Sequence, residues 1–518
     1  MSISLIKSRA LLGISSPLVD VEVHIGNGLP AFNIVGLPEA EVRESRERVR
    51  AAIVHSGFEF PNRRLTVNLA PADLPKNSGR FDLPIAVGIL AASGQLACSD
   101  FEETIASLEF VGELSLTGAI RPVAGLLAMA VASQRQSRRL LIVPKDNASE
   151  LAALIEPRAL AAENLLEVAA HILGQSSLER LAHHREAHRG QSGNDFSQVK
   201  GLGLAKRALE IAAAGGHGLI MVGHPGAGKS LLANAMSSIL PPLDEEQATE
   251  VMVLHDVKRG QLERHEQLSA RASGLPVGSW GQRPFRNPHH SASSVALVGG
   301  GSPPKPGEVS LAHQGILFLD EFPEFNRQAL EGLREPLECG QISISRAARQ
   351  VVFPARFQLI AAMNPCPCGF FGDPRCRCTR EQVIKYQGRV SGPLLDRIDV
   401  QVQVDAVHED ILLGSAKEES SAQIAVRVAD AFVRQTLRQG KPNAQLEPAE
   451  IEQYCALPQD AKTLLVRAAQ RLQWSSRASH RVIKLARTIA DLEASIAISA
   501  SHIAEAVSFR RALIKTSV

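Results

Sequence analysis

The sequence predicts an α/β protein in three parts: an N-terminal α+β domain, a central α/β domain with a parallel sheet, and a C-terminal helical domain. Three observations carry this. A short apolar strand, Gly218-Leu219-Ile220-Met221-Val222, runs directly into a glycine-rich loop and then into a helix beginning at Leu231. Two further apolar runs, Ile316 to Leu319 and Phe357 to Met363, each end on polar residues. Such continuous apolar runs are the mark of strands buried on both faces of a parallel sheet. From about residue 401 onward, apolar residues recur at three- and four-residue spacing, most clearly over Asp460 to Leu472, His480 to Leu492 and His502 to Leu513.

A chain of 518 residues is too long for one compact core, so two or three domains are expected. Apolar residues make up 45% and charged residues 21%, an ordinary balance for a globular protein. The opening stretch lacks the apolar core of a secretory signal, and no run reaches about 18 apolar residues. A cytoplasmic protein without membrane contact is the expectation. The formal net charge is +2, so any binding of nucleic acid has to come from basic groups gathered locally.

Residues 1–173 read as mixed strand and helix. Val19 to Ile25 alternates as a half-buried strand does, and Leu65 to Leu69, Phe110 to Leu114 and Leu140 to Val143 are further strand candidates. Glu39 to His55 reads as a charged helix with apolar Val42, Val49 and Ile53. Residues 174–198 are polar, with His183, His184 and His188 among arginines and glycines, and read as a linker; a histidine metal site is the alternative. Residues 199–400 form the expected central domain and 401–518 the helical one.

The loop Gly223-His224-Pro225-Gly226-Ala227-Gly228-Lys229-Ser230 is a complete phosphate-binding loop in its required strand–loop–helix setting. Glycines let backbone N–H groups converge on phosphates where a side chain would block them. Lys229 supplies a cation to the β- and γ-phosphates, Ser230 a hydroxyl to Mg²⁺, and the helix N-terminus its partial positive charge. The ligand expected is ATP with Mg²⁺. The strand ending in Asp320 and Glu321 supplies two carboxylates, costly at a buried strand end unless used. Asp320 is expected in the Mg²⁺ shell and Glu321 beside the attacking water. Asn364, closing the next strand, fits a sensor of the γ-phosphate. Arg397, in Ser391-Gly392-Pro393-Leu394-Leu395-Asp396-Arg397-Ile398-Asp399, fits an arginine finger reaching into a neighbouring subunit, which implies a ring. The bland reading pairs it with Asp396 or Asp399. Arg477, opening a C-terminal helix, fits a second sensor, with Arg481 one turn further as its alternative.

Of seven cysteines, four lie within thirteen residues: Cys366, Cys368, Cys376 and Cys378. Two C-x-C pairs seven residues apart can close a tetrahedral Zn²⁺ site, with Gly369, Gly372 and Pro374 allowing the return. Free thiols or a disulfide are the alternatives.

At this point the residues resemble a known family, the magnesium-chelatase-like AAA+ ATPases of bacteria, in the group containing YifB and the competence protein ComM. The carrying segments are Arg283-Pro284-Phe285-Arg286-Asn287-Pro288-His289-His290, Gly299 to Ser302, Gly307 to His313, Met363-Asn364-Pro365-Cys366-Pro367-Cys368-Gly369, and Ser391 to Asp399. Arg477 to Arg487 is also similar to the equivalent segment of the branch-migration ATPase RuvB, which favours Arg477 as second sensor and 401–518 as a helical lid. The resemblance implies a homo-hexameric ring and ATP-driven branch migration of DNA during integration of transforming strands. Gln341 to Pro354 reads as two strands around a basic turn. In this clade such a hairpin faces the pore, which would set Arg346 and Arg349 against DNA phosphates. Arg283 and Arg286, with His289 and His290, form a second basic loop that the same expectation places at the pore.

The N-terminal region resembles the protease domain of Lon over Pro75 to Pro84 and Gly112 to Leu126. The slot of the Lon serine holds Arg80 and that of the lysine Leu127, with Ser78 two residues from the first. A serine without a base is not activated, so no peptidase activity is expected. The region is expected to aid ring assembly, or to bind DNA through Arg63, Arg64, Lys76 and Arg80. A remodelling ATPase of chelatase or chaperone type, acting on a protein partner, is the alternative function.

Overall fold

The computed structural model of the chain describes residues 3–36, 40–74, 76, 79–183, 194–260, 280–301, 304–346, 349–407, 410–411 and 418–510. The chain divides into two compact units, one of residues 1–188 with 248–280, the other of residues 189–247 with 281–518.

In the first unit, strands Ile3–Arg9, Leu18–Gly26, Arg64–Ala70 and Ala31–Val35 lie side by side in that order. The first three pair antiparallel, and the last runs parallel to Arg64–Ala70. Leu18–Gly26 alternates buried and open positions as its sequence pattern requires. Helix Asp82–Ala92 is buried almost all round. A second sheet holds Leu108–Phe110, Leu140–Pro144, Ala159–Ala162 and Glu179–Arg180. The last of these lies inside the stretch expected to be a linker, where Glu179 pairs with Ala161. His183 is engaged with the Leu154 carbonyl at 2.8 Å; His184 and His188 lie outside the described residues.

The expected boundary at residue 199 misses one exchange between the regions. Helix Glu245–Gly260 begins in the second unit, and from Ala248 onward it belongs to the first. Val253 and Val257 pack into a core with Val111, Leu126, Leu127 and Val143. Asp256, on the same helix, accepts the Leu127 N–H at 2.9 Å, at the start of helix Leu126–Gln136. Burial and the nearby Glu150 push the Asp256 carboxyl up to about 7. Leu127 and Arg80, in the two slots named above, are both buried. So is Lys76, which binds the Pro71 carbonyl. Lys76 and Arg80 are therefore inside the fold and unavailable to DNA, while Arg63 and Arg64 are exposed. Ser78 lies outside the described residues.

The second unit is built on a five-stranded sheet in the order Phe285–Arg286, Ile316–Leu319, Gln358–Met363, Leu219–Gly223, Val400–Val404. Every pairing is parallel. Counted along the chain the order is 2-3-4-1-5, so the loop-bearing strand sits between the fourth and fifth. Leu219–Gly223 and Ile316–Leu319 are buried at every position. The sheet continues through Val404, past the boundary expected at residue 400. Beyond it, helices Ser421–Gln439, Pro448–Tyr454, Gln459–Arg471, Ser476–Leu492 and Ala500–Ser508 follow. Leu485, Ile489, Val428 and Ile503 from these helices share one core with Leu219 and Met221. No described helix is long and apolar enough to cross a membrane.

Candidate functional site

Parallel strands deliver their C-terminal ends to one edge, and ligands of such sheets bind there. The end of Leu219–Gly223 turns into the glycine-rich loop. At Gly223 an added Cβ would lie 2.1 Å from the Val404 carbonyl oxygen, so the close approach of the fifth strand admits only glycine. Gly226 and Gly228 adopt φ of 78° and 88°, which glycine takes without steric cost. Helix Lys229–Met236 starts immediately after, with its free N–H groups at the loop.

A cleft of about 600 Å³ opens here, lined by residues 225–231, Asn287, Pro288, His289, His290, Asp320, Glu321 and Asn364. Lys229 is buried and donates to the Gly223 and His224 carbonyls at 2.7 and 2.9 Å and to Asn364 Oδ1 at 3.1 Å. Burial pushes its pKa down, opposed by the charge of Asp320. Ser230 donates to Asp320 Oδ2 at 2.7 Å, and the Glu321 N–H to Asp320 Oδ1 at 2.9 Å. Asp320, Ser230, Lys229, Glu321 and Asn364 thus converge although they come from the ends of two strands and the start of a helix. These are the oxygen ligands suited to Mg²⁺ and the cation suited to a triphosphate.

The loop after Phe285–Arg286 departs from expectation. His289 and His290 line this cleft, and His290 Nδ1 lies 2.9 Å from Glu321 Oε2. Arg283 donates to the Pro241 and Gln314 carbonyls, each at 2.6 Å, and burial lowers its pKa to about 10. Arg286 is bidentate to Glu308 at 2.7 and 3.0 Å. Both guanidinium groups are engaged within the domain, where they brace the loop. Strands Gln341–Arg346 and Arg349–Pro354 do form an antiparallel hairpin. The side chains of Arg346 and Arg349 lie outside the described residues.

Arg397 is largely buried, donates to the Pro393 carbonyl at 2.7 Å and pairs with Glu338. Neither Asp396 nor Asp399 is its partner: Asp396 meets Arg510, and Asp399 meets His217 and Arg481. Arg477 is exposed in the first turn of Ser476–Leu492, outside the residues lining the cleft. Arg481, one turn on, is committed to Asp399 and to the Arg397 carbonyl.

Along the chain Asp399 figured only as an alternative partner of Arg397. It is buried between His217 Nδ1, at 2.9 Å, and the Arg481 guanidinium. Burial pushes its pKa up, but the charge of Arg481 and the hydrogen bond from His217 prevail and hold it well below the usual carboxylate range. His217 Nε2 meets Thr488 Oγ1 at 2.7 Å, and Asn443 links Thr488 to Asp491. This chain of polar contacts ties the sheet to helix Ser476–Leu492.

The four cysteine sulfurs lie within 4.8 Å of one another. Separations of 3.4, 3.9 and 3.7 Å separate Cys366–Cys368, Cys366–Cys376 and Cys368–Cys376. Tetrahedral Zn²⁺ with Zn–S bonds of about 2.3 Å sets sulfurs about 3.8 Å apart, so the set fits the ion. These distances are too long for a disulfide, whose S–S bond is about 2.05 Å. Backbone N–H groups of Arg377 and Phe370 point at the Cys368 sulfur and lower its pKa to about 6, the kind of outer support that thiolate ligands receive. The cluster also touches the nucleotide loop. His224 Nδ1 lies 2.6 Å from the Gly369 carbonyl, and its ring stacks on Phe370.

Comparison with known proteins agrees with this geometry. The family described as "Magnesium chelatase, subunit ChlI" matches residues 195–412, "Subunit ChlI of Mg-chelatase" matches 21–147, and "Magnesium chelatase, subunit ChlI C-terminal" matches 418–510. YifB of Salmonella typhimurium is 48% identical over 512 residues, covering 98% of this chain and 97% of its own. YifB of Escherichia coli is 46% identical over 511 residues, with the same coverage. Competence protein ComM of Haemophilus influenzae is 44% identical over 515 residues, covering 98% of each chain. With identity of this order along nearly the whole length, and with the phosphate loop, paired acids and parallel sheet in place, the chain belongs to the magnesium-chelatase-like AAA+ family, in the group that contains YifB and ComM.

Proposed function

We propose that the chain is an ATP-driven homo-hexameric ring motor acting on single-stranded, forked or branched DNA, migrating branches or unwinding duplex, and that it promotes integration of transforming DNA during recombination. The observation that carries the proposal is the convergence of Lys229, Ser230, Asp320, Glu321 and Asn364 on one cleft, in a chain 44% identical to a protein named for competence. In this reading the loop N–H groups and Lys229 hold the β- and γ-phosphates. Ser230 and Asp320 hold Mg²⁺, which neutralises charge on the phosphates when bound. Glu321 takes the proton of the attacking water and Asn364 orients that water. Arg397 is released from Glu338 and enters the neighbouring subunit's cleft, and Arg477 reaches the nucleotide from its own subunit. The hairpin 341–354 carries DNA contact through Arg346 and Arg349, where six copies multiply a modest charge.

The test is ATP turnover with and without forked DNA. Turnover is expected to rise several-fold, and the rise to shrink as salt increases, because phosphate contacts release counterions. Turnover indifferent to DNA but raised by a protein partner would favour the second reading, a remodelling ATPase of chelatase type, for which the magnesium-chelatase matches speak.

We also propose that Cys366, Cys368, Cys376 and Cys378 hold one structural Zn²⁺. The thiolates fill all four positions of a tetrahedral ion, which leaves none open for chemistry. Purified protein is expected to contain one zinc per chain. Cys366→Ser with Cys368→Ser is expected to lose the metal and to lower thermal stability; metal analysis finding no zinc in natively folded protein removes the site. Because Gly369 holds His224, the same variant is expected to bind ATP more weakly.

A further inference from the structure

Glu321 follows Asp320 at the end of Ile316–Leu319 with a left-handed backbone, φ 52°, and its side chain is 54% exposed. A carboxylate so placed has several rotamers open to it, and a proton acceptor has to be held in one. The partner that the fold brings to it is His290, whose Nδ1 lies 2.9 Å from Oε2.

His290 is fixed in turn. Its ring packs on His289 with centroids 4.1 Å apart, and His289 Nδ1 meets Ser291 Oγ at 2.8 Å. Upstream, Phe285 and Arg286 run parallel to Ile316 and Leu317 in the sheet. Arg286 is clamped to Glu308, and Arg283 to the Pro241 and Gln314 carbonyls. The segment is therefore anchored before it reaches the cleft, and neighbouring strand ends set His290 beside Glu321.

We infer that His290 is a positioning residue for hydrolysis: its Nδ1–H holds Oε2 of Glu321 and turns Oε1 toward the attacking water. This rests on the reading of Glu321 as proton acceptor. In the step served, Oε1 takes a proton from water as the water oxygen bonds to the γ-phosphorus. The bond from that phosphorus to the bridging oxygen breaks, and its electron pair leaves with ADP. His290 neither gains nor loses a proton.

The experiment is steady-state ATP hydrolysis by the full chain as His290→Ala, His290→Asn and Glu321→Gln, with thermal unfolding of each. Asparagine places an amide N–H about where Nδ1–H lies. His290→Ala is expected to lower kcat about 10- to 100-fold, as loss of positioning does, with KM for ATP and thermal stability near those of the parent. His290→Asn is expected to restore most of kcat. A kcat in His290→Ala equal to or above the parent's, while Glu321→Gln is inactive, overturns the inference and leaves the role of Glu321 standing. So does an asparagine variant no better than alanine. Full activity in Glu321→Gln removes the role of Glu321 itself, and this inference with it.

Discussion

Glu321→Gln is expected to bind ATP with near-parental affinity and to hydrolyse it about 100- to 1000-fold more slowly, the range for loss of a proton acceptor. Glutamine keeps the size of the side chain, so the cleft stays as it is. What it cannot do is take a proton from water. The phosphate-binding groups, Lys229 and the loop N–H groups, belong to a different strand end and are untouched. The effect should therefore fall on kcat and not on binding, the pattern of an interaction made only in the transition state. Equilibrium binding of nucleotide and single-turnover hydrolysis measure the two separately. Turnover within about threefold of the parent would place the proton acceptor elsewhere.

Asp399→Ala is expected to destabilise the second unit by about 3 to 5 kcal/mol, the cost of breaking a buried charge pair from one side. Removing the carboxylate leaves Arg481 and His217 facing each other without their shared acceptor. In thermal unfolding this corresponds to a Tm about 10 °C lower for a domain of this size. The pH dependence has a fixed sign. The Asp399 pKa is lower in the folded chain than in the unfolded one. Its contribution is therefore complete above the unfolded value, near 4, and is lost as pH falls toward the folded value. The parent should lose this part of its stability on acidification below about pH 4, and Asp399→Ala should not show that loss. A variant with parental Tm would mean that the network from sheet to helix contributes little.

The same contrast separates what could be read along the chain from what could not. The phosphate loop was legible because its chemistry is local: glycines, lysine and serine act through consecutive backbone positions, and a strand and a helix must flank them. Asp320 and Glu321 were legible because two acids ending an apolar strand are costly without a use. The helices Gln459–Arg471 and Ser476–Leu492 match their apolar spacing within a few residues. The cysteine cluster was legible from spacing, since four thiols within thirteen residues have few ways to lie apart.

The contacts that depend on strand order were not legible. Along the chain His289 and His290 read as part of a basic pore-lining loop, because they follow Arg283 and Arg286 within a few residues. The pairing of Phe285–Arg286 with Ile316–Leu319 carries them into the cleft. Arg283 and Arg286 carried the expected charge, but their carbonyl and carboxylate partners come from other segments. Val400–Val404 reads VQVQV and sat beyond the boundary drawn for the sheet; only its pairing with Leu219–Gly223 makes it the fifth strand. Helix Glu245–Gly260 joins the first unit through Val253, Val257 and Asp256, a packing choice that no local pattern announces.

By itself the sequence determined the ligand chemistry of the cleft and the type of most elements, because both follow from short-range geometry and hydrophobic period. The tertiary structure alone decided which distant groups meet: His290 with Glu321 in the cleft, and, outside its lining, His224 with Gly369 and Asp399 with His217 and Arg481. Those pairs join residues between 31 and 182 positions apart, and such meetings are set by the order and direction of strands in the sheet.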